Sequence, residues 1–408
     1  MKYIWERRNW FGFEYDGAAL LKPLGALRVL QGKLLGRTAS LGLKLETEAQ
    51  AEVLVEEAVQ TAEIEGQKFN REAVRSSVAV RLGLPKGVGW HDRNVDGLVD
   101  VLIDAVRFHN KPLTLERLNG WQAALFPTGY SGLKKVRAGK LRGSEPMQIV
   151  SGPLGKEKVH FEALPGERLN EEMRLFLKWW HDSLGTMDGV LRAAEAHLRF
   201  LTIHPYEDGN GRLARALTDM ALAQDEKLNV RFYSVSSEIM RSRGEYYKIL
   251  EDVQRGRVSV TQWYLWFIKC LSVSIEHSQD IIANVFMRVD FWNQHAQIQL
   301  NERQRKVLNR ILEAGPGNFT GGLTTRKYVS IAKVSRATAF REISDMLEKK
   351  ILRQLSGKGR SVHYDLLWPG YKTDELKAIN HLVQKEKGKV KSFKAGKEFS
   401  EYVKKLTK

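Results

Sequence analysis

One segment, residues 204–215, has the residue types and the spacing needed to bind a phosphate group. Gly209 and Gly211 lie on either side of an asparagine, and glycines in such a turn allow successive backbone N–H groups to point toward one anion. A helical pattern follows, so the positive end of a helix is added at the same place. Arg212 and Arg215 are three residues apart on that helix, and both can reach phosphate oxygens.

Two other residues of this segment add reactive groups. Asp208 carries a carboxylate, a hard oxygen ligand of the kind that Mg²⁺ prefers. His204 has a side chain that is neutral near pH 7 and can take a proton from an attacking hydroxyl. The segment therefore predicts attack of a hydroxyl on a phosphate, with a metal ion and the arginines stabilising the charge that develops.

The segment resembles the signature of the Fic (Fido) domain family, His-x-Phe-x-(Asp/Glu)-Gly-Asn-Gly-Arg-x-x-Arg, with Tyr206 in place of the usual phenylalanine. The resemblance covers roughly residues 3–270, and its further matches lie at residues 125–129, 150–153, 159–162 and 246–247. It implies a protein adenylyltransferase. Such an enzyme transfers AMP from ATP to a Ser, Thr or Tyr hydroxyl of a target protein and releases pyrophosphate.

The resemblance also implies a role for individual residues, with ATP as the AMP donor and Mg²⁺ as the cofactor. These residues are the general base His204, the Mg²⁺ ligand Asp208, the phosphate-binding residues Gly209, Asn210, Gly211, Arg212 and Arg215, and the adenine-pocket residues Tyr246, Tyr247 and Gln254. An extended flap, about residues 143–161, would pair with the backbone of the target protein and position its hydroxyl.

A second match lies upstream, where Thr61, Glu65 and Gly66 fit the inhibitory motif (Ser/Thr)-x-x-x-Glu-(Gly/Asn) of the same family. Glu65 at a helix end can pair with Arg215 and deny the γ-phosphate its partner, so we expect an auto-inhibited enzyme. Two alternatives stay open. One is a DNA-binding transcription regulator that uses the Fic domain as a nucleotide sensor, and the other is a hydrolase in which Glu65 activates water to remove AMP from a modified protein.

Helical patterns surround these motifs and predict a mainly α fold, a Fic-type helical bundle with a β-hairpin flap and a small C-terminal winged-helix (α/β) domain. Apolar residues recur with the helical period over residues 20–36, 46–65, 70–82, 95–109, 114–125, 169–184, 188–202, 211–223, 243–255 and 261–298. Glycines and prolines interrupt the pattern between residues 129 and 165, where the extended pieces 147–150 and 158–161 predict the flap.

The predicted domain boundaries follow these patterns and a shift in composition. They are an N-terminal helical region with the inhibitory motif (1–110), the Fic core (111–270), a connecting helix (271–300), a winged-helix domain (301–370) and a basic tail (371–408). The net charge is +17, of which residues 1–299 carry only +3 and residues 300–408 carry +14. This asymmetry indicates a polyanion partner for the C-terminal part alone.

The order of elements predicted after residue 300 is helix, helix, turn, helix, strand, wing, strand, which is the order of a winged helix. Such domains place the third helix in a DNA major groove. The expected contacts with duplex DNA are Arg336, Thr338, Arg341, Lys358 and Arg360. The alternative is a module for protein interaction or dimerisation, which makes a homodimer a candidate assembly.

Composition excludes several other classes. Apolar residues make up 43% and charged residues 28% of the 408, which is typical of a globular chain. No apolar run approaches the ~20 residues of a membrane span, and the N-terminal residues do not have the pattern of a signal peptide. Cys270 is the only cysteine, so an internal disulfide is excluded, and we expect a cytoplasmic protein without a membrane partner.

Overall fold

The computed structural model describes residues 3–39, 43–84, 92–151, 158–355 and 362–368. The chain divides into two compact units, Met1–Ser278 and Gln279–Lys408. None of the helices in these described ranges is long and apolar enough to span a membrane.

The first unit is helical, which confirms the predicted mainly α fold. Its helices are α1 (Gly17–Thr38), α2 (Leu43–Ile64), α3 (Arg71–Leu82), α4 (Arg93–Arg107), α5 (Leu115–Leu125), α6 (Leu169–Asp182), α7 (Gly189–Ile203), α8 (Asn210–Glu226), α9 (Val235–Arg241), α10 (Arg243–Gln254) and α11 (Val260–Gln294). The last helix continues past the unit boundary. Helix α9 was not predicted from the sequence, because it is too short to show a helical period.

Helices α7 and α8 form the centre of this unit and hold the signature between them. Asp188 caps the start of α7, where its carboxylate accepts the backbone N–H groups of Val190 and Leu191. Almost every side chain of both helices is buried. Helix α7 packs on α8 and α6, while α2, α4 and α5 pack on α8. The signature loop that joins α7 to α8 is therefore anchored at both ends in the core.

The flap is the antiparallel hairpin that the sequence predicts. It consists of β3 (Gln148–Ser151) and β4 (Lys158–Glu162), with a register shift between Ile149 and Val150. Its tip, residues 152–157, lies outside the described residues. The N-terminal segment supports the hairpin, because the Tyr3 ring packs edge-on against Phe161 at 5.2 Å between ring centroids. Two short strands that the sequence did not predict, β1 (Tyr130–Ser131) and β2 (Lys134–Lys135), precede the flap.

After the end of α11, the described residues of the second unit form three helices and a strand pair, arranged along the chain in the predicted order. They are α12 (Glu302–Ala314), α13 (Thr325–Ala332), α14 (Arg336–Glu348), β5 (Leu352–Gln354) and β6 (Tyr364–Leu366). The strands pair antiparallel, and the helices bury a shared core that includes Leu308, Tyr328 and Ile343. The predicted wing, with Lys358 and Arg360, and the tail after residue 368 lie outside the described residues, so the winged helix stays a prediction.

Candidate active site

His204 ends helix α7 in a left-handed backbone conformation, with φ 51° and ψ 61°. Such a conformation is uncommon for a residue other than glycine and needs support from its surroundings. Burial and the positive charge of Arg142 lower the pKa of His204 to about 4, although Glu65 and Asp208 partly oppose them. The imidazole is therefore neutral at pH 7, the form that accepts a proton.

The loop after His204 is closed by Asn210, the first residue of α8. Its Oδ1 accepts the backbone N–H of Tyr206 at 3.0 Å, and its Nδ2 donates to the Tyr206 carbonyl at 2.7 Å. Both polar atoms of the amide are thus used by the loop itself. Asn210 thus fixes the shape of the loop that leads into α8, and its predicted part in phosphate binding stays a prediction.

The two glycines of the signature serve different purposes. Gly209 has φ 89° and begins the turn into α8, as expected from a residue free to adopt the left-handed region. Gly211 has an ordinary helical backbone. A Cβ atom at Gly211 would lie 2.1 Å from Oε1 of Glu65, so this glycine provides room for a close approach by the end of α2.

Arg212 and Arg215 are almost completely buried, with exposed fractions of 3% and 2%. Arg212 Nη1 donates to Oε1 of Gln67 at 3.2 Å, and its guanidinium lies 4.8 Å from the centroid of the Phe126 ring. Arg212 Nε and Arg215 Nη1 have no hydrogen-bond partner among the described residues. Buried donors are normally satisfied. Two unpaired guanidinium N–H groups at the start of a helix therefore fit an anionic ligand such as a phosphate chain.

Glu65 and Thr61 both contact Arg215. Arg215 Nη2 donates to Oε1 of Glu65 at 2.7 Å and to the Thr61 carbonyl at 3.0 Å, and Arg215 Nε donates to the Thr61 hydroxyl. Burial lowers the pKa of Arg215, but the charge and hydrogen bond of Glu65, together with the nearby Tyr246 and Tyr247, outweigh this effect and leave the pKa raised. Gly66 follows with φ 78° and ends the helix. The structure thus brings together the inhibitory motif and the signature, as the sequence predicts.

Asp208 is the candidate Mg²⁺ ligand, and its side chain is 39% exposed. Its Oδ1 accepts the Gly209 N–H at 2.6 Å and lies 3.7 Å from Nη2 of Arg212. Within the described ranges, no three or more His, Cys, Asp or Glu side chains are grouped to share a metal. One exposed carboxylate beside a phosphate site nevertheless fits Mg²⁺, because this ion commonly takes one or two carboxylates and completes its shell with phosphates and water.

The three residues predicted for the adenine pocket do not share one environment. Tyr246 is buried, and its hydroxyl is 3.0 Å from Nε2 of His197. Gln254 is buried too, and its Nε2 donates to the Thr202 hydroxyl at 3.2 Å. Tyr247 is 41% exposed and donates to the Ile64 carbonyl at 3.4 Å. The polar ends of Tyr246 and Gln254 therefore serve the core, and only Tyr247 lies at the surface beside the end of α2.

The residues predicted to contact DNA also differ in their solvent exposure. Arg336 and Arg341 are exposed on α14. Thr338 is half-buried, and its hydroxyl lies 3.0 Å from the hydroxyl of Ser335, which caps the helix. The sequence did not single out Phe340, whose ring is 62% exposed on the same helix.

Several residues that shape the site lie outside both motifs and were not predicted. Arg142 donates to the His204 carbonyl, Gln67 accepts from Arg212, and Asn119 accepts the Tyr206 hydroxyl at 2.8 Å. Gln122 Nε2 donates to the Asp208 carbonyl at 3.3 Å. A sequence pattern offers no signal for these contacts, because each one joins segments that are distant along the chain.

Residues 112–222, which contain the whole signature, match the family model for the Fic/DOC family. These residues are a Fic domain. Residues 3–84, with α2 and Glu65, match a second model, a domain of unknown function (DUF4172).

Two relatives are similar over part of the chain. A probable protein adenylyltransferase of Aquifex aeolicus is 31% identical over 90 residues, which cover 22% of this chain and 25% of the relative. Protein adenylyltransferase fic-1 of Caenorhabditis elegans is 30% identical over 122 residues, 30% of this chain and 21% of the relative. The matched stretches thus span a quarter or less of these relatives.

Solved structures of the family give weaker likenesses. A Fic family protein from Desulfovibrio desulfuricans is 17% identical with a TM-score of 0.49, and the match covers 88% of this chain and 99% of that one. Fic-1 from C. elegans is 19% identical with a TM-score of 0.45, covering 63% of this chain and 72% of that one.

Proposed function

We propose that this Fic-domain protein is an adenylyltransferase, which transfers AMP from ATP to a Ser, Thr or Tyr hydroxyl of a target protein and is held inactive by Glu65. The observation that supports it most is that one loop joins a neutral His204 at the end of α7 to two buried arginines with unpaired N–H groups on the first turns of α8. A base and an anion site in one loop are what attack of a hydroxyl on a phosphate requires. The relatives named as protein adenylyltransferases support the same activity.

In the proposed reaction His204 takes the proton from the hydroxyl of the target. The hydroxyl oxygen forms a bond to the α-phosphorus of ATP, the bond from this phosphorus to the bridging oxygen breaks, and pyrophosphate leaves. Arg212, Arg215 and the first N–H groups of α8 hold the negative charge of the phosphates. Mg²⁺ bound at Asp208 would neutralise further phosphate charge.

The inhibitory part of the proposal rests on the position of Glu65. Its carboxylate accepts a hydrogen bond from Nη2 of Arg215, one of the donors assigned to the β/γ phosphates. ATP that binds with this donor occupied has its γ-phosphate displaced and its α-phosphate poorly aligned with the hydroxyl. A misplaced reacting centre costs about 10²-fold in rate.

The proposed place for the target is the β3 side of the flap. The carbonyl groups of Val159 and His160 on β4 already accept hydrogen bonds from Arg255, at 2.6 Å and 2.8 Å. Strand β4 is therefore held against α10, where Arg255 caps the helix end. An extended target segment that adds a strand would pair with β3.

The test measures the labelling of proteins from α-labelled and from γ-labelled ATP. It is carried out with the protein in a cell lysate and with the protein alone, where self-modification is the readout. Glu65→Gly should increase labelling from α-labelled ATP by about 10²-fold, because it frees Arg215. Labelling from γ-labelled ATP should stay at background, since pyrophosphate leaves. Glu63→Gly, which also places glycine near the end of α2, is the matched control and should leave labelling low. A Glu65→Gly variant no more active than the parent would contradict auto-inhibition.

The same variant separates transfer from removal of AMP. If Glu65 activates water, the parent protein releases label from a previously modified target, and Glu65→Gly loses this release. If Glu65 only inhibits, the parent shows no release and Glu65→Gly shows transfer. The nucleotide-sensor alternative predicts that ATP binds without labelling of any protein in either variant.

We propose DNA binding as a second function, carried by the C-terminal unit. The observation that favours it is the exposed face of α14, where Phe340 lies between Arg336 and Arg341 on a part of the chain with a net charge of +14 over residues 300–408. Basic residues beside an exposed aromatic ring suit the phosphates and bases of a duplex groove. Electrophoretic mobility shifts with the full chain, over a series of salt concentrations, test this proposal.

A further inference from the structure

Arg142 is a buried arginine that neither motif contains. It lies between β2 and the flap and is only 5% exposed. Burial lowers the pKa of Arg142, and the negative charge of Glu167 opposes this effect. A buried guanidinium without a close carboxylate is costly, because the charge is taken out of water without an ionic partner. Its presence therefore calls for a reason in its contacts.

The contacts of Arg142 converge on the backbone around His204. Its Nε donates to the His204 carbonyl at 2.9 Å, and its backbone N–H donates to the Pro205 carbonyl at 2.9 Å. Its Nη2 donates to the carbonyl of Leu164, just after β4, at 2.5 Å. One residue thus ties the left-handed end of α7 to the segment at the base of the flap. The guanidinium also lies at the negative end of α7, where a cation is favoured.

We infer that Arg142 is a positioning residue, which holds His204 in its strained backbone conformation and fixes the position of its imidazole relative to the base of the flap. The inference rests on the proposed function, in which His204 is the base and the flap presents the hydroxyl. It assigns to Arg142 the alignment of the two partners of the proton transfer. Arg142 itself need not touch the substrate.

The charge of Arg142 has a second effect on the same imidazole. Three charged groups act on His204: Arg142 from the segment before the flap, Glu65 from the end of α2, and Asp208 from the signature loop. Arg142 disfavours the protonated imidazole, while the two carboxylates favour it. Removing the positive charge should therefore raise the pKa of His204, and a like charge at close range shifts a pKa by about one unit or more.

The experiment uses two substitutions that separate charge from geometry. Arg142→Gln removes the charge, whereas Arg142→Lys keeps a charge but loses the forked donors that reach two carbonyls at once. Lys140→Gln removes an exposed charge from the same segment and is the matched control. The first readout is the NMR titration of the imidazole of His204, assigned by the signal that disappears in His204→Ala. It does not depend on any transfer activity.

Arg142→Gln should raise the His204 pKa by about one unit, while Arg142→Lys and Lys140→Gln should leave it within a few tenths of the parent. In the Glu65→Gly background, both Arg142 variants should lower kcat by about 10²-fold with little change in KM for ATP, because the phosphate contacts are intact. A merely structural role would move neither the pKa nor kcat selectively.

An unchanged His204 pKa in Arg142→Gln together with a kcat within threefold of the parent would overturn the inference. If Arg142→Gln does not fold, the inference is tested by Arg142→Lys alone. A loss of kcat at constant KM supports it, and an unchanged kcat overturns it. The two proposals fail in distinguishable ways. A shifted pKa in a protein that labels no target, even as Glu65→Gly, would leave Arg142 as the residue that positions His204 and would remove the transferase function.

Discussion

The two units of this protein use their positive charges in opposite ways. The first unit buries some of its arginines almost completely and gives them specific partners, as Arg142, Arg212 and Arg215 illustrate. The second unit exposes Arg336 and Arg341 on one helix. A buried guanidinium acts at contact distance on one group, whereas exposed charges act together and are screened by salt. Single residues should therefore decide the chemistry of the first unit. In the second unit, the summed charge of many residues should decide the binding.

The largest effect is expected at His204. Replacement by alanine in the Glu65→Gly background should lower labelling from α-labelled ATP by 10²- to 10⁴-fold, the usual contribution of a general base. ATP binding, measured by calorimetry, should stay close to the parent because the arginines and the helix start remain. His109→Ala is the control for the loss of a histidine. Residual activity within ~3-fold of the parent would remove His204 from this role.

Arg215→Ala should give the next largest effect, and its sign differs from that of Glu65→Gly. The substitution frees Glu65 but deletes a donor for the γ-phosphate, and hydrogen bonds to charged groups contribute about 1.5–3 kcal/mol. We expect ATP to bind about 10- to 100-fold more weakly than to the Glu65→Gly variant, and labelling to stay low. A gain in labelling as large as that of Glu65→Gly would contradict this, because it would show that Arg215 matters more for holding Glu65 than for binding the γ-phosphate of ATP.

A buried carboxylate in the same unit tests whether contact-distance charge also stabilises the fold. Glu57 on α2 accepts hydrogen bonds from the Ser234 hydroxyl at 2.7 Å and from the Ser236 N–H at 3.1 Å. Glu57→Ala leaves these buried donors unpaired and should lower the free energy of unfolding by about 3 kcal/mol.

The neighbouring Glu56 provides the control for this substitution. Its ion pair with Arg71 at 2.8 Å lies near the surface. Glu56→Ala should therefore change the free energy of unfolding by less than about 1 kcal/mol. Both free energies of unfolding are measured by urea denaturation. Equal losses for the two substitutions would contradict the expectation that buried charge stabilises the fold more than exposed charge.

The smallest effects of single substitutions are expected in the second unit. Arg336→Gln and Arg341→Gln should each weaken binding of duplex DNA by the full chain only a few-fold and reduce the slope of log K against log salt by about one. Arg310→Gln on α12 removes the same charge from another helix and is the control. A flat salt response in the parent would exclude phosphate contacts as the basis of binding.

The sequence predicted the long helices well, because apolar residues repeat with the helical period over many turns. It missed α9 and the short strands β1 and β2, which are too short to show a period. The adenine pocket illustrates another limit. Tyr246 and Tyr247 are adjacent and of one type, so composition cannot tell that the first turns into the core and the second stays at the surface.

What the sequence determined by itself is local. The signature from His204 to Arg215, the inhibitory motif at Glu65 and the charge of the C-terminal part each lie within one contiguous stretch. The tertiary structure decided which of these stretches meet. Glu65 contacts Arg215 across 150 residues of sequence, and Arg142 contacts His204 across 62. The packing of α2 on α8 and the hydrogen bonds of Arg142 to the end of α7 bring these residues together. Such contacts between distant segments are not encoded in the spacing of any single motif.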